Sequence, residues 1–328
     1  MKKVLNRNTR SFASGTYTQD DKATNHWGHH QSLVTLVFAV VILFSSCEKD
    51  FNILSPDGAK KMTINCSVND YEAIKVFVTQ SSSFSENTSM LPISDAVVTL
   101  YINDSLSLTL PYKPADTLGT FGCYQAPVRS EPGKKYSVKV THPVYGEASA
   151  YDFMPSPPDL AGFELVQYQN QSANQHCRYR LRINDDATTD NYYRVNVWTW
   201  NSHWAYEPNG DSTIQEYFSG SAAQITSPIT DSVSDHGWWV LFSDKNFNGA
   251  QKEIMLQFSV PDTAYLLSQT ILVELHQVSK AHFEFFRTLE LYGNTDRNNN
   301  PYPVYSNIVN GYGIFMSSAY RQTYVQVK

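Results

Sequence analysis

Apolar and polar residues alternate along the first third of the chain in a pattern that predicts short β-strands. Met62, Ile64, Cys66 and Val68 are separated by polar residues, which is the period of a half-buried strand. Similar segments follow at residues 73–79, 96–102, 105–110, 121–126, 135–140 and 148–153. Turn residues separate these segments, as at residues 131–134, EPGK. About seven short strands in this space predict an immunoglobulin-like sandwich over residues 61–155.

Three prolines, Pro155, Pro157 and Pro158, mark the end of this segment. Proline fixes its own φ and lacks a backbone donor, so the cluster predicts an extended linker. The remaining residues, 159–328, are again rich in strand-forming sequence, and they predict a larger antiparallel β-sandwich domain. Its predicted strands cover residues 163–168, 177–183, 192–200, 238–242, 253–260, 271–278, 313–316 and 323–327.

One helix interrupts this all-β pattern near residues 279–292. Ser279 is a good helix cap for the run KAHFEFFRTLELY that follows it. Phe285, Leu289 and Tyr292 are spaced as one helical face, with Phe286 beside them. We therefore expect an amphipathic helix whose face at these positions packs over a sheet.

The apolar run at residues 33–44, LVTLVFAVVILF, is too short for a bilayer span, which needs about 20 residues, and has the length of a signal-peptide centre. The residues that follow, LFSSC, resemble a bacterial lipobox, in which the chain is cut before the cysteine and the cysteine is acylated. This resemblance implies a signal peptide over residues 1–46, acylation of Cys47 and a lipidated tether over residues 47–60. The alternative is a buried segment followed by an ordinary cysteine. The long leader before residue 33 indicates either a start codon assigned too early or an extended n-region.

The residues directly after Cys47 carry charge. Glu48, Lys49 and Asp50 resemble the surface-export signal of lipoproteins from Bacteroidota, which directs them to the cell exterior. A solvated tether has the same composition, so both interpretations stay open. We expect the protein at the outer membrane, where the acyl chains on Cys47 hold it in the lipid and the protein faces the cell exterior.

Composition and charge exclude some functions. Apolar residues make up 41% of the 328 residues and the formal net charge is −6. No basic stripe with interleaved aromatic residues occurs, so nucleic acid is not an expected partner. Four cysteines occur without a Cys-x-x-Cys pair, which argues against structural zinc. With Cys47 set aside, Cys66, Cys123 and Cys177 form at most one disulfide or are three buried thiols.

No sequence motif points to catalysis, and the expected cofactors, metal sites and catalytic residues are none. The chain contains no HExxH and no Gly-x-Ser-x-Gly sequence. Residues 244–249, DKNFNG, copy the first half of an EF-hand loop, but Met255 stands where the bidentate glutamate belongs. A polar turn explains this segment better than calcium. We therefore expect a protein that is not an enzyme.

A group of aromatic residues forms the predicted binding site. In the strand that begins at residue 192, Val195 and Val197 alternate with Arg194, Trp198 and Trp200. If the valines face the core, the two tryptophans and Arg194 face outward, and Trp204 is close by in sequence. Exposed aromatic patches mark interaction sites for sugars or proteins. The alternative is a second core covered by residues 201–237 or by the helix.

The order of these signals resembles a family of Bacteroidota outer-membrane lipoproteins of unknown function, often encoded beside TonB-dependent receptors. That family has no established catalytic residues, and it implies a TonB-dependent receptor β-barrel as a neighbour. Residues 201–237 depart from the family pattern. The resemblance is carried by the stretches CEKDFNI, PISDAVVTLYI, EPGKKYSVKV, YDFMPSPP, DNYYRVNVW, SKAHFEFFRTLE and YSNIVNGYGIF.

Three functional hypotheses follow. The first is a non-catalytic binding or accessory lipoprotein next to a TonB-dependent transporter. The second is a structural or adhesive surface lipoprotein with no small-molecule ligand, which tandem sandwiches suit equally well. The third, a lipid-tethered hydrolase, has the least support because the motifs are absent.

Overall fold

The computed structural model describes residues 60–82, 91–116, 121–171, 174–206, 210–220, 224–226, 229, 232–235, 239–261, 266–294 and 302–326. These residues belong to a compact unit that extends from Ser55 to Lys328. The predicted signal peptide, Cys47 and the tether up to residue 59 lie outside the described residues. None of the helical segments described has both the length and the hydropathy needed to cross a bilayer.

The first half of the chain is built from strands. They are β1 (Met62–Asn69), β2 (Ala73–Gln80), β3 (Val97–Ile102), β4 (Leu106–Thr109), β5 (Tyr112–Lys113), β6 (Cys123–Arg129), β7 (Lys135–His142), β8 (Gly146–Phe153) and β9 (Asp159–Gln171).

The second half adds nine strands and a helix among the described residues. They are β10 (Asn174–Asn184), β11 (Tyr192–Tyr206), β12 (Ser212–Gly220), β13 (Gln224–Ile225), β14 (Val233–Asp235), β15 (Trp239–Ser243), β16 (Gln251–Pro261), β17 (Leu266–Val278), the helix α1 (Lys280–Asn294) and β18 (Tyr312–Gln326). The predicted all-β class with one helix is confirmed.

Two β-sandwiches each enclose a hydrophobic core. In the first, a four-stranded sheet in the order β4-β3-β7-β8 packs on β1, β2 and β6. In the second, a sheet in the order β13-β16-β10-β9 packs on β11, β15 and β17. The alternation that the sequence shows places alternate side chains in these cores, for example Ile64 and Val76 in the first and Leu181 and Val273 in the second.

One large sheet runs through both sandwiches. Its order is β14-β15-β11-β17-β18-β1-β2-β6-β5, and β12 pairs with β11 beside this path. The link is β18, which pairs antiparallel with β17 and parallel with β1. Phe315 of β18 is fully buried in the core of the first sandwich. The C-terminal strand therefore completes the sandwich that the N-terminal strands begin.

The strand β18 corrects the sequence prediction, which divided it into two strands at 313–316 and 323–327. It is one strand of 15 residues, because β1 and β17 pair with successive parts of it. Gly313 lies where β18 approaches β1, with a φ of +101°. A Cβ at this position would lie 2.2 Å from the carbonyl oxygen of Ile64, so only glycine fits this approach.

The helix begins where the sequence predicts, but its buried face differs. The Ser279 hydroxyl accepts a hydrogen bond from the backbone N–H of His282, as a helix cap does. The predicted face is wrong, since Leu289 and Tyr292 are exposed. Instead Phe283 is buried and stacks on Tyr192. The same Ser279 hydroxyl also accepts from the Ser317 N–H, which ties the start of the helix to β18.

The three cysteines in the described residues are buried free thiols, Cys66, Cys123 and Cys177. Burial raises the pKa of each thiol, so little reactive thiolate forms at neutral pH. Of the two interpretations that the sequence left open, the structure shows small buried apolar side chains.

Candidate functional site

The predicted aromatic residues lie on a hairpin formed by β11 and β12. The strand β11 extends to Tyr206, six residues beyond the predicted end, and pairs with β12 in a regular antiparallel register. Trp200 is opposite Phe218, and Trp204 is opposite Ile214. Directly opposite residues of an antiparallel pair share a face, so these four side chains lie on the same side of the hairpin.

The other side of β11 faces the core. Val195 and Val197 are 1% and 3% exposed and belong to the core of the second sandwich. The alternation along the strand then turns Trp198 and Trp200 away from that core. Trp198 is half-buried, and its ring stacks on Phe218 with centroids 5.2 Å apart.

Several large apolar side chains of this hairpin are exposed to solvent. Trp200 is 46% exposed, Trp204 38%, Ile214 56% and Phe218 48%. We call these four residues together with Trp198 the aromatic face. The alternative was a cover formed by residues 201–237 or by the helix; in the described part of that segment, β12 lies beside β11 in the sheet. Contiguous exposed apolar side chains mark interaction surfaces.

The aromatic face continues across the neighbouring strands of the large sheet. Leu272 of β17 is opposite Trp198, and Tyr324 of β18 is opposite Leu272. Tyr324 is 72% exposed. An apolar band therefore crosses β11, β17 and β18 perpendicular to the strands.

A polar network anchors one end of this face. The Trp198 indole N–H donates to Glu274 Oε2 at 2.9 Å, and the Asn196 amide donates to the same oxygen at 3.1 Å. Burial alone would raise the pKa of Glu274, but hydrogen bonds from His276, Trp198 and Asn196 outweigh it and lower the pKa to about 2. Glu274 is therefore ionised and holds the Trp198 ring in place.

Arg194 was grouped with the tryptophans in the predicted site, and the structure gives it a different environment. Its guanidinium lies over the Trp239 ring at 4.6 Å and the Phe286 ring at 5.5 Å, and its Nε donates to Asn196 Oδ1 at 2.9 Å. Burial lowers the pKa of Arg194. Arg194 thus packs against Trp239 of β15 and Phe286 of α1, while Trp200 and Trp204 lie farther along β11.

The loop at residues 244–249 has the geometry of a polar turn. Asp244 Oδ2 accepts a hydrogen bond from the Asn191 backbone N–H at 2.7 Å, and the Gly249 N–H donates to Asp185 Oδ2 at 2.7 Å. These carboxylates are occupied by backbone donors of the fold. Within the described ranges, no group of three or more His, Cys, Asp or Glu side chains is arranged to hold a metal ion.

Sequence reasoning missed the contribution of β12. Residues 213–218, TIQEYF, place apolar and polar side chains on both faces, so they lack the alternation of a half-buried strand. Glu216, opposite Ser202, lies on the aromatic face between Ile214 and Phe218.

Comparisons with known proteins give a family but no activity. Among solved structures, a chain described as "Biofilm associated protein - B domain" is 7% identical and covers 80% of this chain and 85% of its own length. Its TM-score is 0.17, a similarity that carries no argument. A search of curated proteins finds no match. A family model described as a domain of unknown function, DUF4249, matches residues 48–323. The chain therefore belongs to the DUF4249 family.

Proposed function

We propose that this protein is a surface-exposed outer-membrane lipoprotein that binds a partner through its aromatic face. The observation that carries the proposal is the exposure of Trp200, Trp204, Ile214 and Phe218 on one side of the β11–β12 hairpin. Exposing these side chains to water is unfavourable, and covering them with a partner contributes a hydrophobic term of about 25 cal/mol for each Å² of apolar surface buried. The entropy lost on association offsets part of that term.

The composition of this face fits protein recognition. Tryptophan is enriched among the residues that contribute most to binding energy, and such residues cluster at the centre of an interface. Trp198 is already held by Phe218 and by Glu274, so part of the face is rigid before a partner arrives. A surface that is ordered in advance loses less conformational entropy on binding.

The membrane attachment in this proposal rests on the sequence. Acylation of Cys47 after removal of residues 1–46 would give several acyl chains, which anchor a protein far more stably than one chain. The charged residues that follow, Glu48, Lys49 and Asp50, support display on the cell exterior.

The proposed neighbour is a TonB-dependent receptor β-barrel. It comes from the resemblance to Bacteroidota lipoproteins, and in this role the protein is a non-catalytic accessory of the transporter. An exposed surface of aromatic residues that is built on a rigid sheet suits such a role, because it offers contact area without catalytic groups.

Affinity purification from native membranes tests the binding role. The tagged wild-type protein should recover a receptor β-barrel identified by mass spectrometry, and the double variant Trp200→Ala/Phe218→Ala should recover at least tenfold less. Phe121→Ala is the matched control, since Phe121 is 80% exposed and lies on the first sandwich. Equal recovery by wild type and the double variant would contradict the role of the aromatic face.

Measuring attachment between cells beside this purification separates the binding role from an adhesive one. If wild type recovers no membrane protein while the double variant loses attachment between cells, the structural or adhesive role replaces the transporter role. The anchor is tested separately with Cys47→Ala, which should move the protein out of the membrane fraction. A membrane-bound Cys47→Ala protein with its leader intact would contradict acylation.

A further inference from the structure

We propose that the aromatic face binds a lysine or arginine side chain of a partner protein, with Glu216 as its counter-charge. This inference rests on the proposed function, because it names the chemistry of the partner that the face recognises. It depends on where Glu216 lies, what surrounds it and which charges the hairpin lacks.

Glu216 lies inside the aromatic face. Its position on β12 is opposite Ser202, so Ile214 and Phe218 flank it on its own strand while Trp200 and Trp204 flank Ser202. Neighbours two residues apart on a strand are about 7 Å apart. The side chain of Glu216 therefore has apolar neighbours on its own strand and diagonally across on β11, on the same side of the hairpin.

Ser202 lies between Trp200 and Trp204 on the aromatic face. It is 8% exposed, and its hydroxyl lies 2.6 Å from that of Ser268 on β17. Because its side chain is small, the two indoles are the large neighbours of Glu216 on β11. A cation held over Ser202 can pair with the carboxylate and lie within about 6 Å of an indole ring, the range of a cation–π contact.

The protein does not neutralise Glu216 itself. In the described part of the chain, Glu216 forms no hydrogen bond and no ion pair, whereas Glu164 and Glu253 on the second sandwich both pair with Arg182. Residues 195–244 contain six acidic residues and no lysine or arginine. Glu216 is therefore a carboxylate that is free to pair with a cation of another molecule.

The same charge pattern excludes two other occupants. An apolar partner surface would cover Glu216 without a counter-ion, and burying an unpaired carboxylate is strongly unfavourable. A second copy placed symmetrically on this face would bring another Glu216 and no cation, since a two-fold interface uses the same patch twice. A basic side chain can form an ion pair with the carboxylate and a cation–π contact with an indole ring.

Binding of model peptides to the full chain, purified in detergent, tests the inference. The probe is a fluorescent peptide of alternating arginine and serine, compared with one of alternating glutamate and serine, in fluorescence anisotropy. Wild type should bind the arginine peptide preferentially. Glu216→Gln should weaken that binding about tenfold, the loss expected for one charge-assisted contact. Glu290→Gln, an exposed glutamate on α1, is the matched control and should bind as wild type does.

Salt and an uncharged ligand complete the test. Raising NaCl from about 50 mM to about 500 mM should weaken peptide binding by wild type more steeply than binding by Glu216→Gln, because salt screens exposed charges and the variant has one fewer. Equal affinities of wild type and Glu216→Gln would overturn the inference. So would binding of a neutral oligosaccharide such as maltoheptaose that is lost in Trp200→Ala/Phe218→Ala, without preference for the arginine peptide.

The two proposals fail in different ways. If membrane recovery of a partner depends on Trp200 and Phe218 but is unchanged in Glu216→Gln, the aromatic face binds a partner and the cationic chemistry is wrong. If recovery is unchanged in both variants, the binding role of the face is wrong as well.

Discussion

Trp198 and Glu274 are joined by a hydrogen bond of 2.9 Å between the indole N–H and the carboxylate, across neighbouring strands of the large sheet. This contact links a charged, partly buried network to a ring at the edge of the exposed aromatic face. The hydrogen bond that holds the Trp198 ring therefore depends on one carboxylate.

Glu274→Gln should lower stability and flatten its dependence on acid pH. The folded-state pKa of about 2 lies below the usual 4.5, so the carboxylate contributes stability above the usual value. That contribution is lost as the pH falls toward 2. The difference between the two pKa values corresponds to about 3 kcal/mol of unfolding free energy. The thermal midpoint of the variant at pH 7 should fall, and its change between pH 5 and pH 2.5 should be smaller than in wild type. Unchanged midpoints at both pH values would contradict the network.

Asp152→Asn should change the pH dependence of stability in the opposite direction from Glu274→Gln, and in a different pH range. Burial raises the pKa of Asp152 from 3.8 to about 6, despite hydrogen bonds from Ser279 and Ser317. The folded protein thus holds this proton more tightly than the unfolded chain, and stability falls as the pH rises from about 4 to 6.

The variant cannot titrate at this position, so its thermal midpoint should change less between pH 4 and pH 7 than that of wild type. Since Glu274 titrates below this range, Glu274→Gln is the control and should retain the wild-type change from pH 5 to pH 7. An identical profile in Asp152→Asn and wild type would show that Asp152 titrates normally.

Phe315→Ala should destabilise the first sandwich although Phe315 lies near the end of the chain. Its ring is fully buried in the core formed by β1, β2 and their partners, and removing a buried phenylalanine costs about 3–5 kcal/mol. Urea unfolding measures the loss. Tyr324→Ala on the same strand is the control, because Tyr324 is 72% exposed, and it should change stability by less than about 0.5 kcal/mol.

Gly313→Ala should disrupt the pairing of β18 with β1. Both the φ of +101° and the distance of 2.2 Å from a new Cβ to the Ile64 carbonyl oxygen oppose a side chain. We expect a loss of about 2 kcal/mol or more in urea unfolding. Gly293→Ala in α1 meets no atom within 4 Å, and it should be neutral or stabilising by up to about 1 kcal/mol. Equal stability of the two variants would contradict the close approach of the strands.

Local patterns predicted the local structure well. The alternation from Met62 to Val68 gives β1, and Ser279 begins the helix that its hydroxyl caps. These features depend on interactions between residues close in sequence, so a single sequence contains the information. The outward position of Trp200 followed in the same way from the burial of Val195 and Val197.

Long-range pairing escaped prediction. Nothing in the sequence near Tyr312 indicates that it pairs with Thr63, about 250 residues earlier. The helix face was wrong for the same reason, since contacts with Tyr192 and Ser317 decide it rather than the spacing of apolar residues. Glu216 and Phe218 were missed because a strand exposed on both sides lacks the usual alternation.

The parallel alignment of β18 with β1 sets how far the aromatic face can reach. Both strands start side by side, and β18 ends beside Thr270, whose other neighbour is Trp200. Fifteen residues of extended strand span roughly 45 Å. Trp200 therefore lies at the far end of the large sheet, one full strand length away from the edge at which β1 and β18 begin.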